Sequence, residues 1–179
     1  MSDRHGIGEL PVRPTPVPPA GAQGPTLYEY LVFSLDAEKY ALPLRSVREL
    51  LRAPKLTRVP RAPADIAGII SVRGNITTVV DLKIRLGLPG FVDRVSPRIL
   101  MVDVGSEIFG FLVDEVHYVE RIHDNQIEYA VKMGSEFSHH VEGVARPGLI
   151  YDDAGVAHGD DDDILILLDP VNVAEMSRC

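Results

Sequence analysis

The sequence predicts a mainly β fold made of two small barrels, and three observations support this prediction. First, apolar and polar residues alternate in short runs, as in residues 30–35, which is the period of a strand. Second, the turn-forming pair Arg73-Gly74 separates two runs rich in β-branched residues. Third, the pattern returns about 70 residues further along the chain, which indicates an internal duplication. Each copy supplies about five short strands and little helix, the elements of a small closed barrel.

The first copy begins with a predicted strand at residues 28–35. A polar turn and a second short strand are expected over residues 36–42. Pro43 is then expected to begin a short helix. The apolar side chains that would share one face of this helix are Leu44, Val47 and Leu51.

The segment that ends the first copy is the most informative part of the chain. Gly74 is expected to have a positive φ in a turn between two strands, which fixes Arg73 at a strand end. The second strand is predicted to break into a short helical turn at Asp81. Because this segment has no general base, nucleophile or metal-ligand set, it indicates a docking surface and not a catalytic site.

The second copy repeats these elements in the same order. Residues 100–104 match residues 31–35, and residues 109–116 match residues 40–47. The later echoes pair residues 141–144 with 66–69 and residues 167–170 with 79–82, across a longer loop at 147–163. Two barrels packed side by side would leave a groove between them, which is a usual place for a ligand or partner.

The composition excludes several classes of function. The net charge of −8 argues against nucleic-acid or anionic-membrane binding, which needs a positive field. No apolar stretch approaches the roughly 20 residues of a membrane helix, and no secretory signal opens the chain. The single cysteine, Cys179, cannot form an internal disulfide. We therefore expect a cytoplasmic protein. A monomer in isolation is the default expectation, and the sequence leaves the oligomeric state open.

The N-terminal segment, residues 1–26, contains six prolines and few large apolar side chains. Such a composition buries too little surface to offset the entropy lost on ordering. We predict a disordered or polyproline-II tail, with an SH3-type ligand as the alternative.

The motifs along the rest of the chain, from about Glu29 to the C-terminus, resemble the CheW family, the adaptor of bacterial chemosensory arrays. The matching residues of the first copy are 30–35, 40–44, Val47-Arg48-Glu49, Val59-Pro60, Pro63, Ile66-Ala67-Gly68, Val72-Arg73-Gly74 and Val80-Asp81-Leu82. Those of the second copy are Gly110, Val113-Asp114 and Val116. Several patches recur in the family's order and approximate spacing, which makes the combination specific.

The resemblance implies two SH3-like five-stranded β-barrels with short helices and a non-enzymatic scaffold without a cofactor. Its partners would be the histidine kinase CheA and the cytoplasmic tip of chemoreceptors, which is a helical hairpin. The domain would span residues 27–179, as two intertwined halves at 27–35 plus 98–179 and at 36–97. The positions that match the family's receptor-binding groove are Val47, Glu49, Arg73, Gly110 and Val119. Gly68 matches a position linked to kinase docking.

Each of these site residues also has a purely structural interpretation. Arg73 could pair with Glu49 or Asp81 to hold its turn. Gly68 and Gly110 interrupt strands and could mark a bulge or a close contact within a barrel. The structural interpretation of Val47 and Val119 is burial in the core. A basic run over residues 45–61 is either a solvated face or a rim that meets an acidic partner.

Three features depart from the family's pattern. Thr78 stands where a proline is common, and the loop at residues 147–163 is longer and more acidic than usual. The Pro-rich N-terminal tail is also additional. The acidic residues of the loop at 147–163 lack the ligand spacing of an EF-hand, and the histidines fit no zinc spacing. The alternatives left open are an adaptor of a non-flagellar chemosensory pathway and a small metal-binding regulatory subunit.

Overall fold

A computed structural model describes residues 4–5, 11, 26–89, 94, 96–133, 139–160 and 162–175. Most of the predicted N-terminal tail therefore lies outside the described residues. Of this tail, Arg4–His5 pairs with a strand edge, and the carbonyl of Pro11 accepts a hydrogen bond of 3.0 Å from the Val119 amide.

Short strands dominate the described chain. The strands are β1 (Arg4–His5), β2 (Leu27–Leu35), β3 (Glu38–Pro43), β4 (Val47–Arg52), β5 (Ile66–Val72), β6 (Asn75–Asp81), β7 (Arg98–Asp103), β8 (Ile108–Val113), β9 (Glu115–His123), β10 (Ile127–Tyr129), β11 (Val141–Ala145), β12 (Leu149–Tyr151), β13 (Ala157–Gly159) and β14 (Leu165–Leu168). The helices are α1 (Leu82–Arg85), α2 (Ala130–Met133) and α3 (Pro170–Ala174), with 3-10 turns at Leu44–Ser46 and Asp124–Gln126. No helix within the described residues is long and apolar enough to cross a membrane.

Two sheets carry the fold, and the predicted mainly β class is confirmed. The first sheet has the strand order β1-β4-β7-β8-β6-β5, and the second has the order β10-β11-β14-β3-β2-β9. Each sheet contains one parallel pairing, β6 with β8 and β3 with β14, among antiparallel neighbours. Strands β12 and β13 form a separate two-stranded sheet.

The duplication is visible in the strand order. The neighbours β4-β7-β8-β6-β5 in the first sheet correspond to β9-β2-β3-β14-β11 in the second. The hairpin β2–β3, which opens the first copy, thus lies in the second sheet, while β7–β8, which opens the second copy, lies in the first. The two copies therefore exchange their first hairpins.

This exchange makes the sheet membership differ from the predicted halves. Residues 98–113 lie in the same sheet as residues 47–81, and residues 38–43 lie beside residues 27–35. A repeat in sequence shows which segments correspond, but it does not show which copy's strand each hairpin will pair with.

Matching β-bulges confirm the correspondence between the two copies. The register shifts between Ile66 and Gly68 in β5 and between Val141 and Gly143 in β11. A Cβ atom at Gly68 would lie 2.6 Å from the Thr57 carbonyl oxygen, and one at Gly143 would lie 2.5 Å from a neighbouring carbonyl oxygen. In both copies a glycine therefore permits a close backbone approach beside a bulge.

Matching helix caps also confirm the correspondence between the two copies. The Asp81 carboxylate accepts a hydrogen bond of 3.0 Å from the Lys83 amide at the start of α1. The Asp169 carboxylate accepts one of 2.9 Å from the Val171 amide at the start of α3. Since an aspartate at the N-cap satisfies an otherwise unpaired amide, each strand turns into a short helix at this residue, as predicted for Asp81.

The largest hydrophobic core is shared by both sheets. Leu31 and Phe33 of the second sheet belong to the same buried cluster as Leu100 and Phe111 of the first. Each such side chain contributes about 1.5–3 kcal/mol when fully buried. The two subdomains are therefore joined by a common apolar interior.

The helix predicted after Pro43 forms only as one 3-10 turn, and its predicted continuation through Val47 and Leu51 is wrong. Only a 3-10 turn forms at Leu44–Ser46, and the chain continues as strand β4. A bulge between Val47 and Glu49 shifts the alternation, so that apolar side chains turn inward with a spacing that imitates a helical face.

Candidate functional site

The turn between β5 and β6 has the geometry predicted from its sequence. Val72 pairs with Asn75, which leaves Arg73 and Gly74 as a two-residue connection with φ values of 51° and 83°. Two positive φ angles define a type I′ turn, whose twist matches that of the flanking strands. Arg73 is a non-glycine residue in the left-handed region, which costs about 1–2 kcal/mol. Such local strain is found preferentially at functional positions.

The Arg73 side chain is exposed and is oriented by one carboxylate. Its guanidinium lies 3.4 Å from an oxygen of Glu49, across from the turn on β4. The exposed fraction is 65% for the Arg73 side chain and 14% for that of Glu49. Because an exposed pair contributes only about 0–1 kcal/mol, the pair does little for stability. It does hold a cation with unused N–H donors in a defined place.

A groove of about 920 Å³ lies beside this ion pair. Its charged rim includes Glu49, Arg73 and Arg48, and the Arg48 guanidinium is bound to Asp103 at 2.6 Å. Exposed apolar side chains of Ile76 and Ile108 also line the groove. An apolar patch inside a charged rim is typical of a protein-docking surface.

The sequence analysis expected a groove between the two subdomains, but the groove beside Arg73 lies on the first sheet alone. Its lining residues belong to β4, β5, β6, β7, β8 and the adjoining turns, all of the first sheet. A second groove of about 960 Å³ does lie between the subdomains, where Arg85 faces His139 and His140. The two grooves share Ser106, Glu107 and Phe109, so they lie on either side of the β7–β8 turn.

The other predicted receptor-groove residues are packed inside. Val47 and Val119 are only 7% and 3% exposed and belong to the shared core. A Cβ atom at Gly110 would lie 2.9 Å from an Ile99 methyl carbon and 3.1 Å from one of Val79. The structure thus brings Glu49 and Arg73 together on the surface, while Val47, Gly110 and Val119 hold packing positions. A direct role of these three residues in binding stays a prediction.

Gly68, the predicted kinase-docking residue, lies against the segment that precedes β5. Its φ is +152°, and its backbone lies close to Leu56 and Thr57. Thr57 and Ile69 exchange two backbone hydrogen bonds of 3.0 and 2.8 Å. Gly68 therefore fixes the position of this exposed segment, whatever partner the segment contacts.

A buried charge network was missed by the sequence analysis. The Lys83 side chain is 4% exposed, and its ammonium lies 2.6 Å from Asp36 and 2.7 Å from Asp114. Arg94 binds Asp114 at 2.8 Å and Asp81 at 2.7 Å. The network connects the β2–β3 turn of the second sheet to the ends of β6 and β8 in the first. The sequence identifies Asp81 and Asp114 only as parts of family motifs. No nearby sequence pattern indicates that Lys83 and Arg94 would bind these carboxylates in the folded protein.

The pKa directions in this network follow from burial opposed by hydrogen bonding. Burial lowers the pKa of Lys83, but hydrogen bonds to Asp114 and Asp36 outweigh it, and the net pKa is raised. Burial raises the pKa of Asp114, and hydrogen bonds from Lys83, the Asp36 amide and Arg94 reverse this, so its pKa is lowered. Each group is thus held in its charged form.

A second tie between the subdomains involves Arg85. Its guanidinium donates hydrogen bonds of 2.6 Å to the carbonyls of Val173 and Glu175 at the end of α3, and one of 2.5 Å to Asp65. Arg85 in α1 thus binds the C-terminal end of a helix that follows the other sheet. Carbonyls at this end are otherwise unsatisfied and favour a cation.

The acidic loop, considered above for metal binding, forms the β12–β13 hairpin. Among the described residues no group of three or more histidine, cysteine or acidic side chains is arranged to hold a metal ion. Asp152 accepts hydrogen bonds from the amides of Ala154 and Val156, and His158 lies 2.9 Å away. The carboxylate of Asp152 therefore organises its own turn.

Two interlocked sheets built from a duplicated sequence define the class of this protein: it is a double SH3-like β protein. Comparison with known proteins then gives the family. Residues 29–177 match the family model described as the CheW-like domain. The chain belongs to the CheW-like domain family, and the resemblance inferred from the sequence is confirmed.

Similar proteins agree with this assignment. The chemotaxis protein CheW of Bacillus subtilis is 34% identical over 100 residues, which cover 56% of this chain and 64% of the relative. The match thus spans less than two thirds of that relative's length. Protein FrzA of Myxococcus xanthus is 33% identical over 127 residues, covering 70% of this chain and 78% of the relative. The crystal structure of scaffolding protein TtCheW from Thermoanaerobacter tengcongensis superposes with a TM-score of 0.70 at 30% identity, covering 84% of this chain and 94% of that one.

Proposed function

We propose that this protein is a non-enzymatic adaptor that couples chemoreceptors to a CheA-type histidine kinase in a bacterial chemosensory array. Relatives named as chemotaxis proteins and a solved relative named as a scaffolding protein support the proposal. The observation that carries it is the exposed Arg73–Glu49 pair beside an open groove with apolar side chains. The adaptor would act in the cytoplasm, at the receptor array.

The groove suits a helical partner. A helix with its side chains is about 10–12 Å across and presents one apolar stripe to a groove. Ile76 and Ile108 offer apolar contacts, and the Arg73 guanidinium offers a charged contact that sets the register. The cytoplasmic tip of a chemoreceptor, a helical hairpin, is the occupant that we propose.

Signal transfer would need no chemistry in the adaptor. A scaffold transmits a signal when its partners bind it with different affinities in the two signalling states. We propose that the segment held by Gly68 contributes to the kinase interface, on the side of the first sheet where β5 begins. Several modest contacts acting together raise the effective concentration and stabilise the assembled array.

A related adaptor in a chemosensory pathway with another output, such as surface motility, is the second candidate. The match to FrzA supports this second candidate, because it covers more of this chain than the match to the Bacillus subtilis relative does. Both candidates use the same groove and differ in the receptor and kinase that they join. Binding of kinase and receptor fragments from each kind of pathway would distinguish them.

Arg73→Ala tests the groove directly. We expect a purified receptor cytoplasmic fragment to bind this variant about tenfold or more weakly, which corresponds to about 1.4 kcal/mol. The matched control is Arg121→Ala, which removes an exposed arginine paired with Glu29 at 3.2 Å on the second sheet. Isothermal titration calorimetry gives the affinities, and thermal melting reports the fold. Unchanged receptor affinity in a folded Arg73→Ala protein would remove the groove from the receptor interface.

A further inference from the structure

A further cavity, of about 670 Å³, opens on the second sheet beside the start of β2 and the end of β3. Its wall includes Tyr28 and Tyr30 of β2, Arg45 of the 3-10 turn, Tyr129 of β10 and Glu142 of β11, and we call it the tyrosine pocket. Among the described residues, it shares no part of its wall with the two grooves described above. Cavities of about 300–1,000 Å³ are the usual size for sites that hold small ligands.

Tyr30 is a buried residue of this pocket whose hydroxyl lacks a partner. The residue is only 5% exposed, and its hydroxyl forms no hydrogen bond with any residue that the structure describes. Burial raises the pKa of Tyr30, so the hydroxyl stays neutral and is able both to donate and to accept a hydrogen bond. Because buried polar groups nearly always have a partner, this hydroxyl takes its partner from the cavity.

Glu142 is a second polar group of the pocket without a partner. It is the extra residue of the β-bulge between Val141 and Gly143, and a bulge of this kind redirects a side chain. The residue is half-buried, and its carboxylate has no hydrogen bond or ion pair within the described part of the chain. Burial and the charge of Asp169 raise the pKa of Glu142, although the charge of Arg45 opposes them. A cation that reached this carboxylate would stabilise its charged form.

Arg45 brings the opposite charge to the same pocket. It is exposed, and its guanidinium forms no ion pair with a carboxylate of the described residues, Glu142 included. By contrast, Arg121 at the rim is already paired with Glu29 at 3.2 Å. The pocket therefore presents one anion and one cation that do not neutralise each other through a direct contact. A molecule that carries both charges would satisfy both groups.

Tyrosine rings form much of the remaining wall. Tyr28 and Tyr30 lie two residues apart on β2, so their side chains face the same side of the sheet. Tyr28 and Tyr129 are half-buried and pack against the apolar cluster that contains Tyr30. The face of an aromatic ring attracts an ammonium group, and several such rings around one cation form a recognition site.

The other copy of the duplication shows that the sheet does not need these polar groups. Ile99 stands at the position that corresponds to Tyr30, and Ala67 stands at the position that corresponds to Glu142. Both pack in one apolar cluster of the first sheet. Since the same strand and the same bulge form with apolar side chains in that copy, the hydroxyl and the carboxylate of the second copy point to binding.

We propose that the tyrosine pocket binds a free α-amino acid with an apolar side chain. The ligand's ammonium lies among the tyrosine rings and donates hydrogen bonds to the Glu142 carboxylate and the Tyr30 hydroxyl. Its carboxylate accepts hydrogen bonds from the Arg45 guanidinium. Leu27 and Leu44, which also line the pocket, contact its side chain. This proposal does not depend on the receptor and kinase interfaces proposed above.

Titration of the full chain with free amino acids tests the proposal. The probes are L-leucine, L-valine and L-phenylalanine, and ¹H–¹⁵N correlation spectra at constant pH and ionic strength record the binding. We expect saturable shifts at the amides of Tyr28, Tyr30 and Glu142, with a Kd of about 1 mM or below for at least one probe. Isoamylamine, which is leucine without its carboxylate, and 4-methylpentanoate, which is leucine without its amine, should each bind about tenfold more weakly than L-leucine.

Three substitutions separate the roles of the charged and polar groups. Glu142→Gln should weaken the binding of both L-leucine and isoamylamine about tenfold, because the partner of the ammonium is lost. Arg45→Met should weaken L-leucine to a similar extent without weakening isoamylamine, and Tyr30→Phe should weaken both ligands severalfold. The matched controls are Glu38→Gln and Arg58→Met, at exposed positions that do not line the pocket. Thermal melting reports the fold of each variant.

Three results would overturn the proposal. The first is the absence of saturable shifts with all three amino acids, which would mean that the pocket holds only water. The second is natural L-leucine affinity in a folded Glu142→Gln protein. The third is equal affinity for L-leucine and isoamylamine in the natural chain, which would remove the carboxylate contact with Arg45.

Discussion

The Lys83 ammonium lies 2.6 Å from the Asp36 carboxylate, and this contact joins α1 to the β2–β3 turn of the opposite sheet. Asp114 completes the site at 2.7 Å from the same ammonium. The exchange of hairpins between the two copies explains why the contact exists. It brings the turn of the first hairpin to the end of β6, although more than 40 residues separate Asp36 from Lys83.

Removing the Lys83 ammonium should lower the free energy of unfolding. We expect Lys83→Met to lower the free energy of unfolding by about 1–3 kcal/mol, because Asp36 and Asp114 lose the buried ammonium between them while Arg94 still binds Asp114. Lys39→Met is the matched control: it removes a more exposed lysine paired with Asp163 at 3.0 Å and should cost about 0–1 kcal/mol. Urea unfolding measures both. A Lys83→Met protein as stable as the Lys39→Met control would show that the network contributes little.

The network should also make stability depend on acid pH. Burial raises the pKa of Asp114, but hydrogen bonds from Lys83, the Asp36 amide and Arg94 lower it by more. The net pKa of Asp114 in the folded protein is therefore below that in the unfolded chain. A lowered folded-state pKa stabilises the protein above the unfolded value of about 3.9, and this stabilisation is lost as the pH falls through the folded-state pKa.

We therefore expect the free energy of unfolding to fall as the pH is lowered below about 5, and Asp114→Asn to reduce that slope. Asp162→Asn, at an exposed position, serves as the control. Chemical denaturation at a series of pH values measures the slopes. Identical slopes for Asp114→Asn and the natural chain would contradict the assignment.

Gly68 should tolerate no side chain. We expect Gly68→Ala to lower the free energy of unfolding by about 1–3 kcal/mol, because its Cβ would lie 2.6 Å from the Thr57 oxygen and its φ is +152°. Gly87→Ala is the control, since φ there is +69° but no atom lies within 4 Å. Its cost should be about 1 kcal/mol. If the two variants lose the same free energy of unfolding, the Thr57 backbone moves aside for a Cβ atom at little energetic cost, and the prediction is wrong.

The same pair of variants examines the kinase interface. If the segment at Thr57 contacts the kinase, Gly68→Ala should weaken kinase binding per folded molecule, and Gly87→Ala should leave it unchanged. Calorimetric titration with a purified kinase regulatory domain measures the affinity. A folded Gly68→Ala protein with natural affinity would place the kinase interface elsewhere.

Ile76 should matter for docking and little for folding. It is 68% exposed in the groove beside Arg73, so Ile76→Ser should change stability by no more than about 0.5 kcal/mol. We expect it to weaken receptor-fragment binding severalfold, because an apolar contact is lost. Ile84→Ser is the control, at an exposed apolar residue of α1 that does not line the groove. Equal receptor affinities for the two variants would contradict a docking role for Ile76.

Packing explains why some predicted site residues are not on the surface. The family resemblance predicts Val47 and Val119 as groove residues, but both side chains are buried in the shared core. The type I′ turn could be predicted, because Arg73-Gly74 between two β-branched runs is a local signal. Whether a side chain on β4 turns inward depends on the bulge at Val47 and on the strand that pairs with it. That information is not local.

Residue patterns in the sequence were enough to predict the mainly β class, the duplication, the turn at Arg73-Gly74 and the helical break at Asp81. Apart from the duplication, which is a repeat about 70 residues along the chain, these features depend on residues close together, through alternation, left-handed glycine and side-chain capping. The folded structure was needed to show the exchange of hairpins, the burial of Lys83 between carboxylates and the position of the Arg73 groove on one sheet. These features depend on pairing between strands that are distant in the sequence. The free energy of such pairing arises from the packing of the whole fold, so no single segment of the sequence indicates it.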